Sequence, residues 1–86
     1  MELTTLFEQA VANSKSLATK PDNETLLKLY SLYKQATEGD VSSANEPSNP
    51  FDFVAKAKFN AWNEQKGKSK DNAMQDYINL VNSLNK

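Results

Sequence analysis

The chain reads as an all-α domain of about four helices, and three observations carry that reading. Apolar residues recur at helical spacing in four separate stretches. The two glycines and three prolines fall between those stretches, where helices end. No segment shows the pattern of a β-strand, and no internal repeat is visible.

Leu3, Leu6, Phe7, Ala10, Val11 and Ser14 set the first helix, from about Leu3 to about Ser16. Ser14 interrupts its apolar arc and Lys15 lies at the edge. Thr5 with Glu8 is a candidate capping box. Asp22, just after Pro21, is the expected cap of a second helix that stops at Gly39, where a left-handed glycine can close it. At 100° per residue, Leu29, Leu32 and Ala36 fall on one side. Leu26, Leu27, Tyr30, Tyr33, Lys34 and Thr37 share an adjacent arc, and Glu24, Lys28, Ser31, Gln35 and Glu38 form a polar strip. The apolar-plus-tyrosine region is wider than the stripe of about 100° that one core needs. Two phenols and an ammonium on neighbouring turns require partners. A core face beside a ligand face for an anion and a flat ring is the expectation.

Residues 39–50, rich in serine and asparagine with Pro47 and Pro50, read as a long loop, either functional or a tolerated crossover. Asp52 caps a third helix running to about Gln65, before Gly67. Its arc of Val54, Ala55, Lys58, Ala61 and Trp62 has Lys58 in the middle, and Lys56, Asn60 and Asn63 face solvent. A desolvated ammonium costs several kcal/mol without a partner, so Lys58 either meets an anion or snorkels to the surface. Ser69 caps the last helix, with Asp71 near its N-terminal dipole. Ala73, Met74, Tyr77, Ile78, Val81 and Leu84 make its stripe, with Leu80 beside it.

Composition excludes much. Eighty-six residues make one small domain, 1–86. Cysteine is absent, which removes disulfides and thiolate metal sites, and histidine is absent, which removes the commonest general base. Glu24, Glu38, Glu64, Asp71 and Asp76 sit on polar faces or helix starts, so solubility and capping account for them. No enzyme, metal or cofactor is expected. A formal charge of −1 supplies no global field for nucleic acid or an anionic membrane. The N-terminus shows no secretory signal, and no stretch is as long as a membrane span. A soluble cytoplasmic monomer is the expectation.

The stretch Pro21-Asp22-x-Glu24-x-Leu26-x-x-Leu29-Tyr30-Ser31-x-Tyr33-Lys34-Gln35-Ala36-Thr37-x-Gly39-Asp40 resembles the signature of the acyl-CoA-binding proteins. Asp52-Phe53-x-Ala55-Lys56-Ala57-Lys58-Phe59-x-Ala61-Trp62-Asn63-Glu64-x-Lys66-Gly67 and Ala73-Met74-x-x-Tyr77-Ile78 resemble that family's second half, in order. The resemblance implies an up-down-down-up four-helix bundle, with the long loop joining two parallel middle helices. It implies non-enzymatic binding of medium- to long-chain fatty acyl-CoA, as a carrier and pool former. Tyr33 would stack on adenine, and Tyr30, Lys34 and Lys58 would converge on the 3′-phosphate. Lys15 would add a cationic contact and Tyr77 would close the acyl and pantetheine region. Leu26 and Leu27 would line the tail groove. Trp62, Phe7 and Met74 are assigned to packing. Val54 stands where the family commonly has a ligand-contacting lysine, and Phe59 where tryptophan is usual. The loop is about two residues longer than typical. The rival reading is a helical protein–protein module, which explains the leucines but not the tyrosine–lysine cluster.

Overall fold

Polar caps set where three of the four helices begin. A computed structural model describes residues 2–17 and 19–85. Asp22 Oδ1 accepts the Thr25 N–H at 2.8 Å, Asp52 Oδ1 that of Ala55 at 3.1 Å, and Ser69 Oγ that of Asn72 at 3.1 Å. Each satisfies a donor that a helix start leaves free. The helices are α1 (Leu3–Ser14), α2 (Asn23–Thr37), α3 (Phe53–Glu64) and α4 (Lys70–Leu84), and no strand occurs among the described residues. α1 begins at Leu3 as expected, but its cap and its end differ from the sequence reading. Its N-cap is Glu2, without a side-chain cap bond, so Thr5 and Glu8 lie inside the helix and form no capping box. It also closes at Ser14, with Lys15 as C-cap.

Cross-helix neighbours give the topology. Leu27 and Ala57 line one groove, Lys34 lies over the Trp62 ring, and Gln65 donates to Ser31, so α2 and α3 run the same way. Thr4 and Phe7 share a hollow with Lys70 and Met74, and Tyr77 donates to Ser14, so α1 and α4 are also parallel. Gly39, just past the end of α2, lies against Lys70 at the start of α4, so the two pairs oppose. This is the up-down-down-up order. Phe7, Ala10, Leu29, Leu32, Ala36, Ala73, Tyr77, Ile78 and Val81 form the core between α1, α2 and α4. α3 packs on α2 and contributes only Trp62 to the buried set, its indole N–H donating to the Gly39 carbonyl at 2.9 Å.

Two residues placed on the polar strip of α2 are buried. Ser31 is 1% exposed and Gln35 is 0% exposed. Gln35 spends both amide hydrogens at 2.7 Å, on Asp40 Oδ1 and on the Lys68 carbonyl. Asp40 Oδ1 also accepts the Gly67 N–H at 2.9 Å. Gly39 and Gly67, at φ +85 and +95, turn the chain on either side of this knot, where a Cβ would be strained. The knot fastens the end of α2 to the α3–α4 turn. Between α2 and α3 the loop is irregular except for a 3₁₀ turn, Ser43–Asn45, and buries Val41.

Those hydrogen bonds to the Asp40 carboxylate, from Gly67 first and then Gln35, hold its pKa below the ordinary 3.8. A depressed folded-state value contributes stability that is complete above the unfolded value and is lost as pH falls through the folded one. The melting temperature should therefore drop more steeply below pH 3.8 in the wild type than in Asp40→Asn. Parallel acid limbs would show that the Asp40 charge adds nothing.

Candidate functional site

The side of α2 that the sequence marks as a candidate ligand face is flanked by α3 and the long loop. Three of the residues singled out from sequence meet there. Lys34 and Lys58 put their ammonium nitrogens 5.9 and 5.3 Å from the centre of the Tyr30 ring, and Lys34 Nζ is also 5.6 Å from the Trp62 ring. Such distances allow cation–π attraction. A hollow of about 370 Å³ opens over this cluster, walled on the far side by Asn45, Pro47, Ser48 and Asn49 of the loop. Lys58 reaches it from an exposed position, which fits the reading in which its ammonium extends to the surface. Lys34 is more enclosed and pairs with Glu38, Nζ to Oε2 at 2.6 Å. The Glu38 hydrogen bond raises the Lys34 pKa above 10.5, so this ammonium stays charged at neutral pH.

Beside the cationic hollow lies an apolar groove of about 440 Å³, lined by Leu26, Leu27, Phe53, Val54 and Ala57, with Asn23 at its edge. Tyr30 and Lys58 belong to both spaces, so the two join along that edge. The backbone extents are 39 × 28 × 15 Å, and a body this thin holds open grooves on its surface rather than an enclosed chamber. Phe53 and Val54 are 72% and 66% exposed, and Phe51 beside them is 78% exposed. Val54 thus belongs to the groove wall and not to a buried arc.

The remaining predicted residues lie elsewhere. Tyr33, 40% exposed, turns toward α1 and lines a separate hollow with Phe7, Val11 and Met74. Its ring centre is 5.9 Å from that of Phe7 and 6.5 Å from that of Tyr77. Tyr77 is 4% exposed, and its hydroxyl donates to Ser14 Oγ at 3.0 Å, which accounts for a serine in the apolar arc of α1. Lys15 is exposed at the end of α1 and lines none of these hollows. Phe7 and Trp62 are buried, and Met74 packs against the core, as assigned from sequence. Sequence reasoning missed Asn45, Ser48, Asn49 and Phe53 as lining residues. The only signal for the first three was the length of their loop. Among the described residues no cluster of potential metal ligands occurs, and no helix is long and apolar enough to cross a membrane.

Known proteins resemble this chain in sequence and in fold. A family model described as Acyl CoA binding protein matches residues 4–81. The chain is 45% identical over 82 residues to Acyl-CoA-binding protein homolog 1 of Caenorhabditis elegans, spanning 95% of this chain and 93% of that one. It is 44% identical over 84 residues to the acyl-CoA-binding protein homolog of Manduca sexta, spanning 98% and 92%. The crystal structure of Oryza sativa Acyl-CoA-Binding Protein 2 superposes with a TM-score of 0.89 at 41% identity, over 96% of this chain and 90% of that chain. With the helix order, the tyrosine–lysine cluster and these similarities in agreement, the chain belongs to the acyl-CoA-binding protein family.

Proposed function

We propose that this protein binds medium- to long-chain fatty acyl-CoA esters reversibly, as a monomeric cytoplasmic carrier and pool former that needs no cofactor. The observation that carries this reading is the shared Tyr30–Lys58 edge, where a cationic hollow meets an apolar groove. Acyl-CoA has the same order of parts, a phosphorylated nucleotide at one end and a hydrocarbon tail at the other. Lys34 and Lys58, with the Tyr30 hydroxyl, take the 3′-phosphate, since lysine serves phosphate as a point charge. Tyr33 leaves part of its ring open for adenine, a stack worth about 1–3 kcal/mol. Tyr77, its ring centre 6.5 Å from that of Tyr33, closes the acyl and pantetheine region. Lys15 adds a long-range positive charge at the end of α1. Leu26 and Leu27, joined by Phe53 and Val54, hold the tail.

Relatives matched along nearly their whole length are named acyl-CoA-binding proteins, and a chain without histidine cannot assemble a Ser–His–Asp constellation. Binding energy divides accordingly. Each buried methylene contributes about 0.8 kcal/mol, so the tail sets much of the affinity while the nucleotide contacts select the CoA ester. Titration with dodecanoyl-CoA, dodecanoic acid and CoA should give by far the tightest binding for the ester. At a hundredfold excess over its Kd, the ester should stabilise the native state by about 2.7 kcal/mol and raise the melting temperature. Equal affinity for acid and ester, or no melting shift with saturating ester, overturns the assignment.

A further inference from the structure

We propose that Glu38 is a competitor for the ligand's phosphate, placed at the C-cap of α2, and that it lowers the protein's affinity for phosphorylated CoA esters. The proposal rests on reading the Tyr30–Lys34–Lys58 hollow as the phosphate end. Two ammonium groups serve that hollow, and they are not equivalent. Lys58 makes no salt bridge among the described residues, whereas Lys34 Nζ is held by Glu38 Oε2 at 2.6 Å. Glu38 lines no part of the hollow, so any influence it has on the ligand passes through Lys34 and through its own charge.

Helix stability is a poor reason for this pair. The stronger i,i+4 arrangement places the acid before the base, and here the order is reversed. Glu38 is also the C-cap of α2, at the negative end of the helix dipole, where a carboxylate is disfavoured. Lys34 is what offsets that charge. A phosphate that takes Lys34 leaves Glu38 uncompensated beside a dianion, so both the lost pair and the repulsion count against binding. The side chain of Glu38 is 50% exposed and can swing toward water, which keeps the penalty modest and reversible.

The test compares dodecanoyl-CoA with its 3′-dephospho form in the wild type and in Glu38→Gln. The variant should bind dodecanoyl-CoA about three- to tenfold tighter, the range expected for an exposed pair plus one nearby like charge. Its affinity for the dephospho ester should stay within about twofold of wild type, and the gain should shrink near 1 M salt, where the Debye length is about 3 Å. In a Lys34→Met background most of the gain should vanish. Unchanged or weaker binding of dodecanoyl-CoA by Glu38→Gln, or an equal gain for both esters, overturns the proposal. A wild type that binds both esters equally well removes the phosphate assignment, and the role of Glu38 with it. A wild type that prefers the phosphorylated ester while the variant gains nothing removes the role of Glu38 alone.

Discussion

Alanine at Trp62 is expected to lower the unfolding free energy by about 3–5 kcal/mol, the usual range for deleting a buried indole. Trp62 is 4% exposed and is the one α3 residue in the buried set. Its N–H also pairs with the Gly39 carbonyl, so truncation strands an acceptor as well as opening a cavity. A domain of this size has about 4–13 kcal/mol in total, at 0.05–0.15 per residue, so the loss is a large share of the whole. Because α3 packs on α2, the damage should fall on the helix that carries Lys58. Urea denaturation followed by circular dichroism measures it, since the variant lacks the chain's single tryptophan. Trp62→Phe keeps most of the volume and should cost less than half as much. An alanine variant within 1 kcal/mol of wild type, a tolerance set by the usual effect of one point mutation, would mean that α3 is held by something other than this anchor.

Neutralising both lysines of the cationic hollow should produce the largest change in binding. Charge-assisted hydrogen bonds contribute about 1.5–3 kcal/mol each, so Lys34→Met or Lys58→Met alone should weaken dodecanoyl-CoA binding by about ten- to a hundredfold. The double variant should bind the ester and its 3′-dephospho form with similar affinity. Lengthening the tail by two methylenes should still gain about 1.6 kcal/mol in that variant, because the apolar groove is untouched. Isothermal titration across the two esters and two tail lengths separates the effects. If the double variant keeps its preference for the 3′-phosphate, these lysines do not read it.

Local signals were legible in the sequence, and non-local ones were not. Asp22, Asp52 and Ser69 cap helices through bonds to residues three positions away, so their roles follow from spacing alone. The stripe of α4 and the termination at Gly39 follow in the same way. Gln35 escaped because its chemistry depends on Lys68, far along the chain, and a helical wheel sees only polarity. Tyr30 and Tyr33 share an arc, but α1 draws the second ring to its own side, and no property of α2 could announce that. Lys58 is a case where the wheel left two readings open and tertiary packing decided between them. An apolar arc need not be a buried one, because α3 packs chiefly on α2 and leaves Val54 and Phe53 in the open.

Running α2 and α3 in the same direction has a geometric consequence for the segment between them. Fifteen residues of α2 advance about 22 Å at 1.5 Å each, and the chain must travel back along that distance before α3 can begin. An antiparallel hairpin would need only about 2–5 residues and would leave the cationic hollow without its third side. The backtracking thread is therefore a fixed requirement of the topology that serves a second purpose as masonry. Extra residues can balloon outward from it at little entropic cost, whereas removing them drags the two helix ends together and takes down the wall that Asn45, Ser48 and Asn49 provide.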